Sequence, residues 1–201
     1  TVIAAADSIY RFERRFKMPE QSENSPEPRS AIQRYFAGLA EHTFHSQLGV
    51  VDPLLIDYLT ELLIRSTRSD TIHRIRSVTG RPIMSVHEMA AEASERLGSA
   101  RREVHLHIGD FTLFWAGLYP EALRDGDSDS SGRFETYCAF GKRSYRIASE
   151  MEAPVAESPP STLLERLSDR YDLCCYGLRE IRRQWESGGG MDSGPNSILL
   201  D

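Results

Sequence analysis

The chain is nearly without lysine. Of its 24 basic residues only Lys17 and Lys142 are lysines, and the other 22 are arginines. A GC-rich coding bias is the simpler source of that skew; the physical alternative is a surface laced with planar, bidentate Arg–carboxylate pairs. Cysteine is just as scarce. Cys138, Cys174 and Cys175 make an odd count, two of them adjacent and none in a CxxC spacing. This argues against a disulfide framework or a zinc site and fits a reducing cytosol. Long apolar runs are also missing: the most apolar stretch, Val104 to Tyr119, is too short for a bilayer and carries His105, His107 and Asp110. With a net charge of −6 there is no surplus of positive charge, so neither nucleic acid nor an anionic membrane is an expected partner. The first residues show no signal-peptide pattern. No alternating strand pattern, solenoid repeat, Gly-rich phosphate loop or GxSxG is found.

What remains is helical periodicity. The length of 201 residues, 40% of them hydrophobic, suits one well-cored domain over residues 1–187, with a flexible tail at 188–201. Ile9, Phe12 and Phe16 share a face of a first helix over 1–17, and the Pro-containing polar stretch 21–30 reads as a mobile linker. A second helix is expected from about Ala31 to Gln47, closed near Gly49. Asp52-Pro53 then opens a third, with Asp as N-cap and Pro in the first turn. A short helix over 70–78 follows, then one over 86–97 announced by Ser85 and Glu88 as a capping box and stopped at Gly98. Ser99 caps a helix reaching Leu118 or Tyr119. An acidic surface loop covers 125–132, a helix covers about 134–152, and a last long helix runs from Ser161 to Trp185. The expected fold is all-α: an irregular bundle of six to eight helices around a central helix at about 99–119.

That central helix carries the candidate site. Val104, His107, Ile108, Phe111, Phe114, Trp115 and Leu118 fall on one broad face, while Gly109, Thr112, Ala116 and Gly117 make a small-residue face suited to close helix approach. His107 and Asp110 stand one turn apart, where a carboxylate could hold an imidazole in one tautomer; with Trp115 they are the candidate ligand-binding residues. The alternative is an ordinary core hydrogen bond, or Asp110 reaching an arginine. Glu41, His42 and His45 are the nearest candidates for metal ligands, but no Glu-x-x-His is present, so no metal or other cofactor is expected. Asp127 to Glu135 imitates nine positions of a calcium loop, yet the twelfth is Cys138, where a bidentate Glu is required. The clusters Arg11/Arg14/Arg15, Arg101/Arg102 and Arg179/Arg182/Arg183 have acidic neighbours and read as solvated, salt-bridged helix faces.

Four segments, LGVVDPLLIDYLTELL (48–63), HIGDFTLFWAGLYPEAL (107–123), GKRSYRIAS (141–149) and RYDLCCYGLREIRRQW (170–185), resemble an uncharacterised family of bacterial all-helical proteins with an LGDxxLFxxGxxPE-like segment. The resemblance spans about residues 40–187. It implies a bacterial, cytoplasmic, one-domain protein and transfers no activity, cofactor or catalytic residue. With no catalytic constellation in view, the expected function is a non-enzymatic helical interaction or scaffold protein that meets a protein partner or itself. The rival expectation is an enzyme or small-ligand binder with a pocket near His107 and Asp110.

Overall fold

The computed structural model describes residues 31–66, 85–124, 130–153 and 159–188. The helices expected over 1–17 and 70–78, the linker at 21–30 and the tail beyond 188 lie outside these residues. The first described helix, α1 (Ala31–Glu41), buries Phe36 and Ala40 and continues as a π-helical stretch, His42–Gln47. The wider π turn brings Thr43 and Phe44 both inward and leaves His42 and His45 exposed. Gly49, at φ +66°, then turns the chain left-handedly, a conformation that side chains with a Cβ rarely adopt.

Helix α2 (Pro53–Ser66) starts as its sequence indicates: the Leu55 amide donates to Asp52 Oδ1 at 3.2 Å, and Pro53 occupies the first turn. Leu55, Leu59, Leu62 and Leu63 face the core. Helix α3 (Val86–Glu95) presents Val86, Met89 and Ala93 inward. Ser85 holds the extended backbone of an N-cap, but its side chain makes no cap hydrogen bond, so the expected capping box does not form.

Helix α4 (Gly98–Leu118) is the central element. From Val104 to Leu118 only Leu106 and Asp110 are not fully buried, and α2, α3, α5, α6 and α8 all pack on it. Its N-cap is Leu97 rather than Ser99, because Gly98 turns at φ +54° and itself begins the helix. A short α5 (Pro120–Arg124) precedes α6 (Ser130–Ser149), whose packing on α4 is the most extensive in the bundle. Helix α6 begins four residues before the expected 134, so Ser130 to Glu135, two thirds of the calcium-loop imitation, are helical and Cys138 is a buried helical side chain. The expected single last helix is two: α7 (Ser161–Asp169) and α8 (Tyr171–Gly188). Arg170 breaks them by closing α7 with an amide bond to the Arg166 carbonyl (2.9 Å), while its own carbonyl starts α8. Leu163, Leu164 and Leu167 of α7 and Tyr171, Cys174, Leu178 and Ile181 of α8 are all buried.

Arg102 corrects the reading of Arg101/Arg102 as a solvated pair. Its side chain is fully buried, donating from Nε to the Ala148 carbonyl (3.2 Å) and from Nη2 to the Pro159 carbonyl (2.7 Å). It thus supplies a donor to the C-terminus of α6, where main-chain carbonyls lack partners within the helix. At the other end of α4, Arg182 of α8 bonds the Leu118 carbonyl and Glu121, stacks over Tyr119 and pairs with Glu186, as a salt-bridged face would.

The small face of α4 is used by two different neighbours. A Cβ at Gly109 would lie 2.6 Å from the Tyr145 ring of α6, and one at Gly117 would lie 2.9 Å from Leu178 Cβ of α8. At an open helical site Gly→Ala stabilises by about 0.5–1 kcal/mol. Gly117→Ala is instead expected to destabilise by about 1–2 kcal/mol through overpacking. Denaturant unfolding of the two proteins decides it, and a clear gain would mean that α8 does not sit so close.

Candidate functional site

Two polar places stand out, one inside the bundle and one on its surface. The inner one is built around Asp110 in the middle of α4. Tyr58 of α2 and Tyr145 of α6 both donate their hydroxyls to Asp110 Oδ1, at 2.6 and 2.8 Å, and Arg65 of α2 reaches Oδ2 at 3.3 Å. Gly109 is what admits the Tyr145 ring to this position. One turn further along, Tyr171 donates to Thr112 Oγ1 at 2.9 Å, and Thr112 donates to the Ile108 carbonyl at 2.7 Å. Burial first, and the Asp110 charge second, hold Tyr58 and Tyr145 well above the usual phenol range. Burial does the same to Tyr171. All three therefore stay protonated donors at physiological pH. A carboxylate satisfied by three donors of its own protein is a structural hub, since taking a substrate proton would break these bonds.

His107, Asp110 and Trp115 are not brought together. His107 is buried on the aromatic stripe of α4, its ring 6.1 Å from that of Phe111, and no hydrogen bond joins it to Asp110. Trp115 lies further along the same stripe, with ring centroids 6.2 Å from Phe111, 5.5 Å from Phe114 and 6.0 Å from Tyr119. Its indole Nε1 is buried without an acceptor among the described residues. Asp110 belongs to the α2–α4–α6 junction instead. Sequence reasoning offered an arginine as its partner without saying which, and missed Tyr58 and Tyr145. The only signals for them were two tyrosines inside otherwise apolar helix faces.

The surface place is a half-open cleft of about 340 Å³. Ala37, Glu41 and His45 form one wall; Asp52, Pro53, Ile56, Asp57 and Thr60 form the other, with Val51 at the connection. Two of the three metal candidates, Glu41 and His45, thus share a cleft. His42 is not in its lining and lies 3.3 Å from the Gln47 amide nitrogen. Asp52 is already engaged by Arg166 at 2.9 Å and by the Leu55 amide. Among the described residues no group of three or more His, Cys, Asp or Glu side chains is placed to hold a metal ion. In its lining Val51 is 79% exposed, an open apolar side chain between the two walls. Glu41 and His45 stand four residues apart, a spacing that the sequence already offered for a shared face.

The three cysteines are free thiols and buried. Burial pushes the Cys174 thiol up to about 12, so it is not a nucleophile at neutral pH. No helix among the described residues is long and apolar enough to cross a membrane. Comparison with protein-family models, with curated proteins and with solved structures returned no match.

Proposed function

We propose that the chain is a non-enzymatic helical interaction module that receives a cationic, amphipathic segment of a partner protein in the α1–α2 cleft. The observation that carries this reading is the coincidence, in one cleft, of the carboxylates Glu41 and Asp57, which make no ion pair among the described residues, with the 79% exposed Val51. Solvated carboxylates beside open apolar side chains suit a helix with one basic and one apolar face. The rival reading, a ligand pocket at His107 and Asp110, loses support because donors of the protein already occupy Asp110. A net charge of −6 favours a basic protein segment over nucleic acid. Buried free thiols support a cytosolic location.

Fluorescence anisotropy with two labelled helical peptides, one of Leu and Lys and one of Leu and Glu in the same pattern, tests the proposal. The Lys peptide is expected to bind saturably and more weakly as salt rises. Glu41→Lys with Asp57→Lys, and separately Val51→Asp, should each weaken it by about tenfold or more, the equivalent of about 1.4 kcal/mol, with the helical CD signal unchanged. Equal binding of the two peptides, or variants that bind like wild type, would overturn the reading.

A further inference from the structure

The chemistry that the α1–α2 cleft calls for is present in the chain itself. Residues 9–17, IYRFERRFK, lie outside the described residues, but their side chains are a basic, amphipathic set. Arg11, Arg14, Arg15 and Lys17 against the single Glu13 give the segment a net charge of +3, in a chain whose total is −6. At helical spacing Ile9, Phe12 and Phe16 share one face, and Arg15 and Lys17 fall on its two flanks, each about 90–110° from its centre. The cleft is complementary. Glu41 stands on its α1 wall and Asp57 on its α2 wall, with Ala37, Val51, Pro53 and Ile56 as the apolar lining. Asp52, the third carboxylate there, is already held by Arg166 at 2.9 Å.

The chain length permits the docking. Residues 18–30 separate Lys17 from Ala31, the start of α1. Extended, that connection spans up to about 45 Å. Helix α1, which carries Ala37 and Glu41 into the cleft, is only about 16 Å long. A flexible tether of this kind supplies an effective concentration on the order of millimolar. A segment of modest affinity would therefore fill the cleft of its own chain before that of a second copy.

We propose that residues 9–17 occupy the α1–α2 cleft of their own chain as a basic amphipathic helix, and that a partner helix binds by displacing them. The proposal rests on the reading of the cleft as a receiver of such helices. Phe12 and Phe16, one turn apart, are the anchors that an opening of about 340 Å³ seats. Arg15 on one flank and Lys17 on the other then meet one carboxylate on each wall. An incoming helix competes with this segment, so its apparent affinity is lowered by the fraction of clefts that are filled.

Lysine scarcity makes the test clean, because Lys17 and Lys142 are the only two in the chain and Lys142 lies on α6, paired with Asp172. Full-length protein in dilute solution is treated with a water-soluble carbodiimide, which joins a lysine amine to a carboxylate it touches, and the monomer is mapped by mass spectrometry. A Lys17–Glu41 or Lys17–Asp57 link within one chain is expected. Phe12→Asp with Phe16→Asp should abolish that link and bind the Leu/Lys peptide about tenfold or more tightly than wild type, with an unchanged helical CD signal. Absence of the link, a link found only between two chains, or a peptide affinity unaltered by the two substitutions overturns the proposal. The reading of the cleft survives each of those results as long as the Phe12→Asp, Phe16→Asp protein prefers the Leu/Lys peptide to the Leu/Glu peptide. If that protein binds both peptides alike, the cleft is no receiver of basic helices, and both readings fall.

Discussion

Replacing Asp110 with alanine is expected to destabilise the fold by about 2–5 kcal/mol, because two buried hydroxyls lose their shared acceptor at about 1–3 kcal/mol each. The Arg65 contribution is smaller: its side chain is 36% exposed and can turn back into water. Urea unfolding of wild type and Asp110→Ala measures the loss. The same substitution in a Tyr58→Phe, Tyr145→Phe background should cost clearly less, since the groups it would orphan are gone. If Asp110→Ala instead retained wild-type stability within about 0.5 kcal/mol, within the range usual for a surface substitution, the carboxylate would not be a hub. It would then be open to the ligand role that its pairing with His107 suggested. The geometry favours the hub: Tyr58 and Tyr145 arrive from two different helices and meet on a single oxygen of Asp110.

The second large effect is expected at Gly141. A Cβ there would run into the Tyr171 hydroxyl and Thr112 Oγ1, the two ends of a buried hydrogen bond where α4, α6 and the start of α8 meet. Neither neighbour can yield, as Thr112 and Tyr171 are both fully buried. Gly141→Ala should therefore cost about 2–4 kcal/mol, combining overpacking with loss of the hydrogen bond. Adding Tyr171→Phe removes the obstructing oxygen, so the cost of the alanine should shrink in that background. Thermal or denaturant unfolding of the four proteins completes the cycle. A Gly141→Ala protein more stable than wild type would place the site at an open helix surface.

The two predictions tie together four stretches of the chain far apart in sequence. Tyr58 comes from 48–63, Asp110 and Thr112 from 107–123, Gly141 and Tyr145 from 141–149 and Tyr171 from 170–185. Their polar side chains meet only inside the closed bundle.

Helix identity was legible from local signals. Asp52-Pro53, Gly49 and Gly98 mark boundaries through caps and backbone conformations that operate within a few residues, and the 3.6-residue period exposes each buried face. The all-α class, the centrality of α4 and the tight use of Gly109 and Gly117 were accordingly readable in advance. Where two local signals competed, reading failed. Ser85 holds an N-cap position but makes no cap hydrogen bond, and Ser99 is no cap because Leu97 takes that place and Gly98 already begins the helix. The division at Arg170 was invisible because α7 and α8 are each ordinary amphipathic helices with neither proline nor glycine between them.

The sequence alone therefore determined the elements and their apolar faces, because propensity, capping and periodicity are short-range. Tertiary structure alone decided the partners. Tyr58 and Asp110 are 52 positions apart, and Tyr171 and Thr112 are 59 apart, so nothing local links them. The same holds for Arg102 reaching Ala148. Long side chains of one type were surface residues by composition, and became a buried helix cap or an ion pair only through the helix that arrived opposite them. The proposed function rests on a juxtaposition of the same kind: the cleft exists where Ala37, Glu41 and His45 come to face Ile56, Asp57 and Thr60 of α2.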